Sequence, residues 1–389
     1  MKAKEFILNM GPQHPSTHGV LRLVLALDGE YVKDSRVHIG HLHRGIEKLC
    51  ENKTYFQIVP LTDRLDYVSS ISNNLSYVQA VEKLLELSVP ERAKYLRVIF
   101  SELQRLCNHL LWLATQALDI GAMSMFLYCF RDREEILDIF EKVCGARLTI
   151  NYLRVGGVNR DMQPDVIPMI LKFTKYFSNS IKEWDTILSG NRIWLGRTKG
   201  IAAVTKEDAV NYGLTGVPLR ASGINLDIRK AIPYAVYDRM NFDVPLGVNG
   251  DVFDRYIIRM EEMRQSLRII EQACKEIPDG PIMVDDPRIA LPDKKNLEAN
   301  AECLTRYCYI LTHGYKVPKG EVYSSIEAPK GELGFYIISD GTEKPFRLKI
   351  RSPAFINVAA LPKMIQGGLV ADVIAAIGSI DIVLGEIDR

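Results

Sequence analysis

The longest regular pattern in the chain lies between Ala93 and Leu118. Leu96, Ile99, Leu103, Leu106, Leu110, Leu113 and Ala117 recur there at intervals of three and four, the spacing of one helical face. Pro90-Glu91-Arg92 precedes them, with proline in the entry position of a helix. Val98, Phe100, Leu111 and Trp112 widen the apolar surface, which predicts a helix buried on most sides. Glu102, Arg105, Asn108, His109 and Asp119 then become polar groups in or beside a core. A buried carboxylate needs a partner or a proton. Asp119-Ile120-Gly121-Ala122 reads as the helix end, with a close backbone approach at the glycine.

The same reading predicts helices over Asn73–Glu86, from Phe130 to about Cys144, from about Pro164 to Leu188, and over Lys206–Tyr212, Asp251–Ile277 and Leu297–Gly314. Ala359–Val383 is helical or half-helical, interrupted by Gly367-Gly368 and Gly378. Two apolar runs near the start, Phe6-Ile7-Leu8 and Val20 to Leu25, read as a hairpin. Glu321–Ile326, Gly331–Ser339 and Phe346–Arg351 alternate and are punctuated by glycine, which predicts a small antiparallel sheet. Residues 213–250 and 278–296 read as irregular surface, rich in Gly, Pro, Asn and Asp. The charged face of Asp251–Ile277 is either solvated or meets a partner. An apolar stretch at the end of the chain predicts a buried tail. The expected class is α+β, mainly α. A single structural domain is expected, with an N-terminal β-hairpin region (1–36), a helical core (37–314) and a C-terminal β-segment with buried tail (315–389).

Composition narrows this only a little. The chain has 389 residues, 47% apolar and 25% charged, a globular mix. A formal net charge of +1 gives no global basic field for nucleic acid. No apolar run approaches the ~20 residues needed to cross a bilayer, and Met1-Lys2-Ala3-Lys4 carries no signal-peptide pattern. A soluble or peripheral protein is expected. The seven cysteines (Cys50, Cys107, Cys129, Cys144, Cys274, Cys303, Cys308) are odd in number, widely spaced and never C-x-x-C. That argues against a disulfide framework and against a zinc or iron–sulfur site within this chain.

Three stretches carry candidate chemistry. Gly11-Pro12-Gln13-His14-Pro15-Ser16-Thr17-His18-Gly19 is the loop of the first hairpin. Its prolines stiffen it, so that His14 and His18 are held in fixed directions, either for proton exchange near neutral pH or simply for bonding to backbone. His38, His41 and His43 fall within six residues, but without the i, i+4 spacing of a helical zinc site. Arg44, between Gly40 and Gly45, presents a permanent planar fork of donors, as any surface arginine does. Asp63-Arg64-Leu65-Asp66-Tyr67 packs hydrogen-bonding side chains just before a helix.

The segments GPQHPSTHGVLRL, HIGHLHRGIEK, DRLDY, ALDIGAM, RVGGV, EAPKGELG and DIVLGEIDR occur in this order. Together they closely resemble the 49-kDa-type (D) subunit family of proton-pumping NADH:quinone oxidoreductase, respiratory complex I. The resemblance runs from about residue 6 to residue 389. The chain is also similar to the large subunits of nickel–iron hydrogenases, which implies a hydrogenase-like helical bundle. Where those enzymes place metal-binding cysteines, this chain matches Asp66, Ser69, Val383 and Glu386. Loss of the soft thiolates implies loss of the nickel–iron site and an emptied pocket.

What the resemblance implies for chemistry is specific. His18 and Tyr67 would flank a quinone headgroup and donate hydrogen bonds and protons to it. Asp119 would pair with His18 and orient its ring. No metal would be held by this chain. Electrons would come from a [4Fe–4S] cluster in the adjacent B-type subunit, with Arg44 near that cluster. Many members carry a histidine where Thr149 stands here, which implies weak pH dependence of the cluster potential. Further partners would be the C-type subunit and the H-type membrane subunit, on the cytoplasmic side of a bacterial inner membrane, peripherally. The alternatives are an equivalent subunit of a ferredoxin- or F420-dependent relative, a non-catalytic scaffold subunit, and a hydrogenase or metalloenzyme using His38, His41 and His43.

Overall fold

The computed structural model describes residues 5–14, 18–292 and 294–389. The chain opens with β1 (Glu5–Met10), β2 (Arg22–Asp28) and β3 (Tyr31–His38), an antiparallel sheet in that order. Along β2 the side chains alternate, and Leu23, Leu25 and Leu27 face inward. The predicted hairpin is therefore present. A third strand, absent from the sequence reading, completes it: Lys33, Asp34 and Arg36 break any apolar alternation in β3, which is an edge strand.

Two short helices follow, α1 (Ile46–Glu51) and α2 (Tyr55–Thr62). Then come the long ones, α3 (Ser70–Leu85), α4 (Glu91–Asp119), α5 (Met123–Cys144) and α6 (Val166–Trp184). A two-residue ribbon, β4 (Leu153–Arg154) with β5 (Gly157–Val158), lies between α5 and α6. Small helices α7 (Arg192–Gly196), α8 (Lys206–Asn211), α9 (Gly216–Ala221) and α10 (Ile228–Ala231) lead to the long α11 (Val252–Glu276) and to α12 (Ala301–His313). A second antiparallel sheet, β6 (Gly320–Ala328), β7 (Gly331–Ser339) and β8 (Arg347–Arg351), precedes α13 (Pro353–Ile365), α14 (Val370–Ser379) and α15 (Leu384–Asp388). The class is mainly α with small antiparallel sheets, as the sequence indicated.

The main core forms around α4, which packs on α5, α11 and α14. Glu102, Arg105, Asn108 and His109 are each no more than 2% exposed, so the polar groups on this helix do sit in the core. A second apolar cluster joins Leu21, Leu23 and Leu25 to Leu361 and Ile377, and to Leu384 and Ile387 of the tail. The N-terminal sheet and the C-terminal tail are thereby packed on one another.

Several boundaries differ from expectation. Helix α5 begins at Met123 rather than Phe130, because Met123 and Leu127 are exposed apolar residues that blur the periodicity. Helix α13 begins at Pro353, capped by the Ser352 side chain, with Pro362 inside it disguising the run. Gly121 makes no close approach; it takes φ +100°, a conformation closed to most side chains.

Residues 213–250 are not all surface. Arg220 and Arg229 are each 1% exposed. Arg220 pairs with Glu262 and Glu327, and Arg229 with Asp227 and Glu102. The same pairing explains why Glu262 of α11 is buried although its helix reads as a charged face; Arg255 and Arg259 of that helix are buried against Ser379. Tyr237 and Ser266 hydroxyls also donate to Glu102, while Arg220 Nε and the Nε and Nη2 of Arg259 are left without a partner. Among the described residues no helix is long and apolar enough to cross a membrane.

Candidate functional site: two loops on a buried C-terminal turn

His18 sits at the return of the β1–β2 loop with φ 51°. Its Nε2 lies 2.7 Å from Asp119 Oδ2, across 101 residues of sequence. A carboxylate only accepts, so Nε2 carries the hydrogen and donates it. Nδ1 is then the ring nitrogen left to meet another molecule. The pair is largely but not wholly shielded, with side chains 15% and 16% exposed. Asp119 is placed by the last turn of α4.

Tyr67 lies in the turn between α2 and α3. The turn is stitched by its own backbone: Val68 N–H donates to the Asp66 carboxylate, and Asn73 Nδ2 donates to the Asp66 carbonyl. Gln104 of α4 donates to the Val68 carbonyl. Tyr67 itself is 38% exposed while Asp66 beside it is 3% exposed. Burial and then the Asp66 charge raise the phenol's pKa, against the pull of Lys330 and Arg44. The phenol is therefore a protonated donor at neutral pH.

Arg44 Nη2 donates to the carbonyls of Arg64 and Gly385. Burial lowers its pKa, and Tyr67 is the largest opposing influence. Arg44 thus reaches the same turn as Tyr67. Gly385 permits this meeting: a Cβ there would lie 2.7 Å from the Leu65 carbonyl and 3.1 Å from Arg44 Nη2. A Cβ on Gly19, next to His18, would touch Leu384 at 3.4 Å. The C-terminal turn is accordingly packed against both loops.

Beneath Tyr67 is a feature that sequence reasoning missed. Lys330, in the β6–β7 turn, is 1% exposed. Its Nζ lies 2.9 Å from Asp66 Oδ2 and 3.6 Å from Asp381 Oδ2, and donates to Asn108 Oδ1. Asn108 in turn donates to Asp381 at 2.8 Å. Glu386 is 1% exposed, and neither carboxylate oxygen has a hydrogen-bond partner. Burial and then the Asp66 charge push its pKa up to about 8. Burial also holds Asp66 above the usual carboxylate range in spite of Lys330. Asp381 is held below that range, because Lys330 and Arg259 outweigh its burial. The emptied pocket expected at positions 66, 69, 383 and 386 is thus furnished with an ammonium group. Ser69 donates to Ser72, and Val383 is buried. Lysine in a Pro-Lys-Gly turn normally reads as solvated, so no local signal marked Lys330.

The structure brings His18 to Asp119, and Arg44 to the Tyr67 turn. Among the described contacts none joins Tyr67 directly to His18. The pronounced cavities of the described residues are lined by other side chains. Residues 15–17, next to His18, lie outside the described residues, and His14 pairs in a bridge with Gly19. Among the three clustered histidines, His43 Nδ1 donates to the Asp388 carbonyl, while Gly40 and Leu42 N–H groups bind the Asp388 carboxylate. That segment anchors the tail. Thr149 is half-buried in the turn after α5.

Residues 119–389 match the family described as "Respiratory-chain NADH dehydrogenase, 49 Kd subunit". Over 382 residues the chain is 52% identical to the D-type subunit of NADH-quinone oxidoreductase from Geotalea uraniireducens, covering 98% of both chains. It is 50% identical over 389 residues to the protein of the same name from Citrifermentans bemidjiense, covering the whole of each. The figure for the Geobacter sulfurreducens protein is 51% over 386 residues and 98% of each. Identity at this level across the full length makes this chain a member of the 49 kDa (D-type) subunit family of respiratory NADH–quinone oxidoreductase.

Proposed function

We propose that this chain forms the quinone-headgroup site of its NADH:quinone oxidoreductase, with Tyr67 and His18 as the groups that meet the quinone oxygens. The chain works within a multi-subunit oxidoreductase. The observation that carries the reading is the His18–Asp119 hydrogen bond, which holds an imidazole with Nδ1 unspent. Reduction of a quinone to a quinol consumes two electrons and two protons. A carbonyl oxygen gaining electron density is stabilised by a donor already aimed at it, then protonated. The Tyr67 phenol, kept protonated by its surroundings, and the imidazole can each do both. Asp119 orients the ring and balances the charge when the imidazole carries a second proton.

In this reading electrons arrive from outside this chain. We assign delivery to a [4Fe–4S] cluster in an adjacent B-type subunit. Arg44 sits on the Tyr67 turn, where a cation favours added negative charge nearby. The half-exposed Tyr67 and the two loops are completed as a cavity by a neighbouring subunit. The C-type and H-type subunits, and attachment to the cytoplasmic side of the inner membrane, belong to the same proposal. The test is Tyr67→Phe in the assembled complex. Quinone reduction is expected to fall by roughly 10²-fold or more, while reduction of an artificial acceptor upstream persists. Unchanged quinone reduction would overturn the assignment.

A further inference from the structure

Tyr67 stands at the outer end of a buried charged cluster whose composition is unbalanced. Three carboxyl groups, Asp66, Asp381 and Glu386, surround one ammonium group, Lys330. Lys330 donates to Asn108 and lies 2.9 Å from Asp66 Oδ2 and 3.6 Å from Asp381 Oδ2, while no hydrogen bond from it reaches Glu386. The groups facing Glu386 come from three further elements. Asp66 comes from the α2–α3 turn and Lys330 from the β6–β7 turn; Ser352 and the Ala354 N–H come from the start of α13. No hydrogen bond from Ser352 or from Ala354 N–H closes on either carboxyl oxygen, while the Ser352 oxygen accepts from Phe355 N–H. A carboxylate 1% exposed with both oxygens unpartnered is too costly to keep ionised beside another carboxylate. Like carboxylates that share a site retain a proton between them. The raised pKa of both Asp66 and Glu386 agrees with that geometry.

We propose that Asp66 and Glu386, beside the Lys330 ammonium, are a buried proton-holding pair that resupplies the Tyr67 phenol. This deepens the quinone-site reading and rests on it. When the phenol gives its proton to a quinone oxygen, a phenolate is left next to Asp66. The proton held by the pair passes to the phenolate oxygen: the carboxyl O–H bond breaks, the phenol O–H bond re-forms, and no electrons move in this step. The pair then ends one proton short, with its added negative charge facing Lys330 and, beyond it, Arg259 acting on Asp381. A proton from water restores it. Asp66 is the way station because it is adjacent to Tyr67 in the chain and is the strongest charge acting on Glu386. Glu386 is a positioning and proton-holding residue, not one that touches quinone.

The experiment compares Glu386→Gln, Glu386→Asp and Tyr67→Phe in the assembled complex. Quinone reduction is followed from about pH 6 to about pH 9, with reduction of the upstream artificial acceptor as the measure of assembly. Glutamine reproduces the shape of glutamate but carries no acidic proton; aspartate keeps the acid and loses the shape. Quinone reduction by Glu386→Gln is expected to fall at least about tenfold below about pH 8, where the parent holds its proton, with the deficit shrinking at higher pH as the parent loses it too, while Glu386→Asp retains more activity. Equal or better activity in the glutamine variant than in the aspartate variant overturns the proposal, since a structural role favours the better fit. Tyr67→Phe separates the two failures. If it leaves quinone reduction intact, the site reading itself falls. If it abolishes quinone reduction while Glu386→Gln behaves as the parent, only the proton-holding pair is lost.

Discussion

Lys330→Met is the sharpest test of how the centre of this protein is held together. The substitution keeps most of the side-chain volume and removes one charge from a site 1% exposed. Asp66 loses a partner at 2.9 Å and Asp381 one at 3.6 Å, and the Asn108 carbonyl loses a donor. Removing one member of a buried ion pair costs about 3–5 kcal/mol, because the other charge is left uncompensated. Coulomb attraction at 2.9 Å in a protein interior exceeds that figure, but the methionine variant also escapes the desolvation of the ammonium. A loss of about 3–5 kcal/mol is a shift of roughly 10²–10⁴ in the folding equilibrium.

The loss should depend on pH with a definite sign. Without Lys330, burial raises the folded-state pKa of both carboxyls above their unfolded values. Their protonated forms then fit the fold, so stability is retained at low pH and lost as pH rises through the raised values. The deficit relative to the parent should therefore be small near pH 5 and full by about pH 8. Denaturant unfolding of parent and variant at several pH values measures it. The double variant Lys330→Met with Asp66→Asn should recover a large part of the loss, because the stranded charge is gone. A single variant within about 0.5 kcal/mol of the parent at pH 8, or a double variant no better than the single, would refute the reasoning.

Three further expectations concern the scaffold. Arg97 is paired with Glu82 at 2.9 Å and also donates to the Arg154 and Gly157 carbonyls, so Arg97→Ala should cost about 3–5 kcal/mol, read by denaturant unfolding. A Cβ on Gly157 would meet the Ile282 carbonyl at 2.0 Å, and backbone cannot swing aside. Gly157→Ala should therefore detach the segment around 282–284 and raise its protease sensitivity. Gly190→Ala, with nothing within 4 Å of the new carbon, should change stability by no more than about 0.5 kcal/mol.

What the sequence disclosed and what it concealed follow from the range of the forces involved. The β2 alternation and the α4 periodicity are local, and both elements stand where the pattern put them. The stiff loop around His18 and the polar Tyr67 turn were legible because prolines and clustered hydrogen-bonding side chains declare themselves within a few residues. Burial of Arg220, Arg229 and Lys330 was not. Each lies among Gly, Pro or Asp, where a charged side chain reads as solvated. Each is buried only because its partner arrives from a distant segment: Glu327 for Arg220, Glu102 for Arg229, and Asp66 for Lys330. Such pairs leave no periodicity. The pairing of His18 with Asp119 is equally long-range; only family likeness pointed to it.

The turn that carries Glu386 has a consequence for biosynthesis. The helices around α4 bury much of their apolar surface using residues translated well before that turn. The loops bearing His18 and Tyr67, by contrast, pack against Leu384 and Gly385, and the Gly40–Leu42 segment is held by Asp388. A chain stopped short of residues 384–388 should therefore keep its helical core packed while the loops bearing His18 and Tyr67 lose the residues packed beneath them.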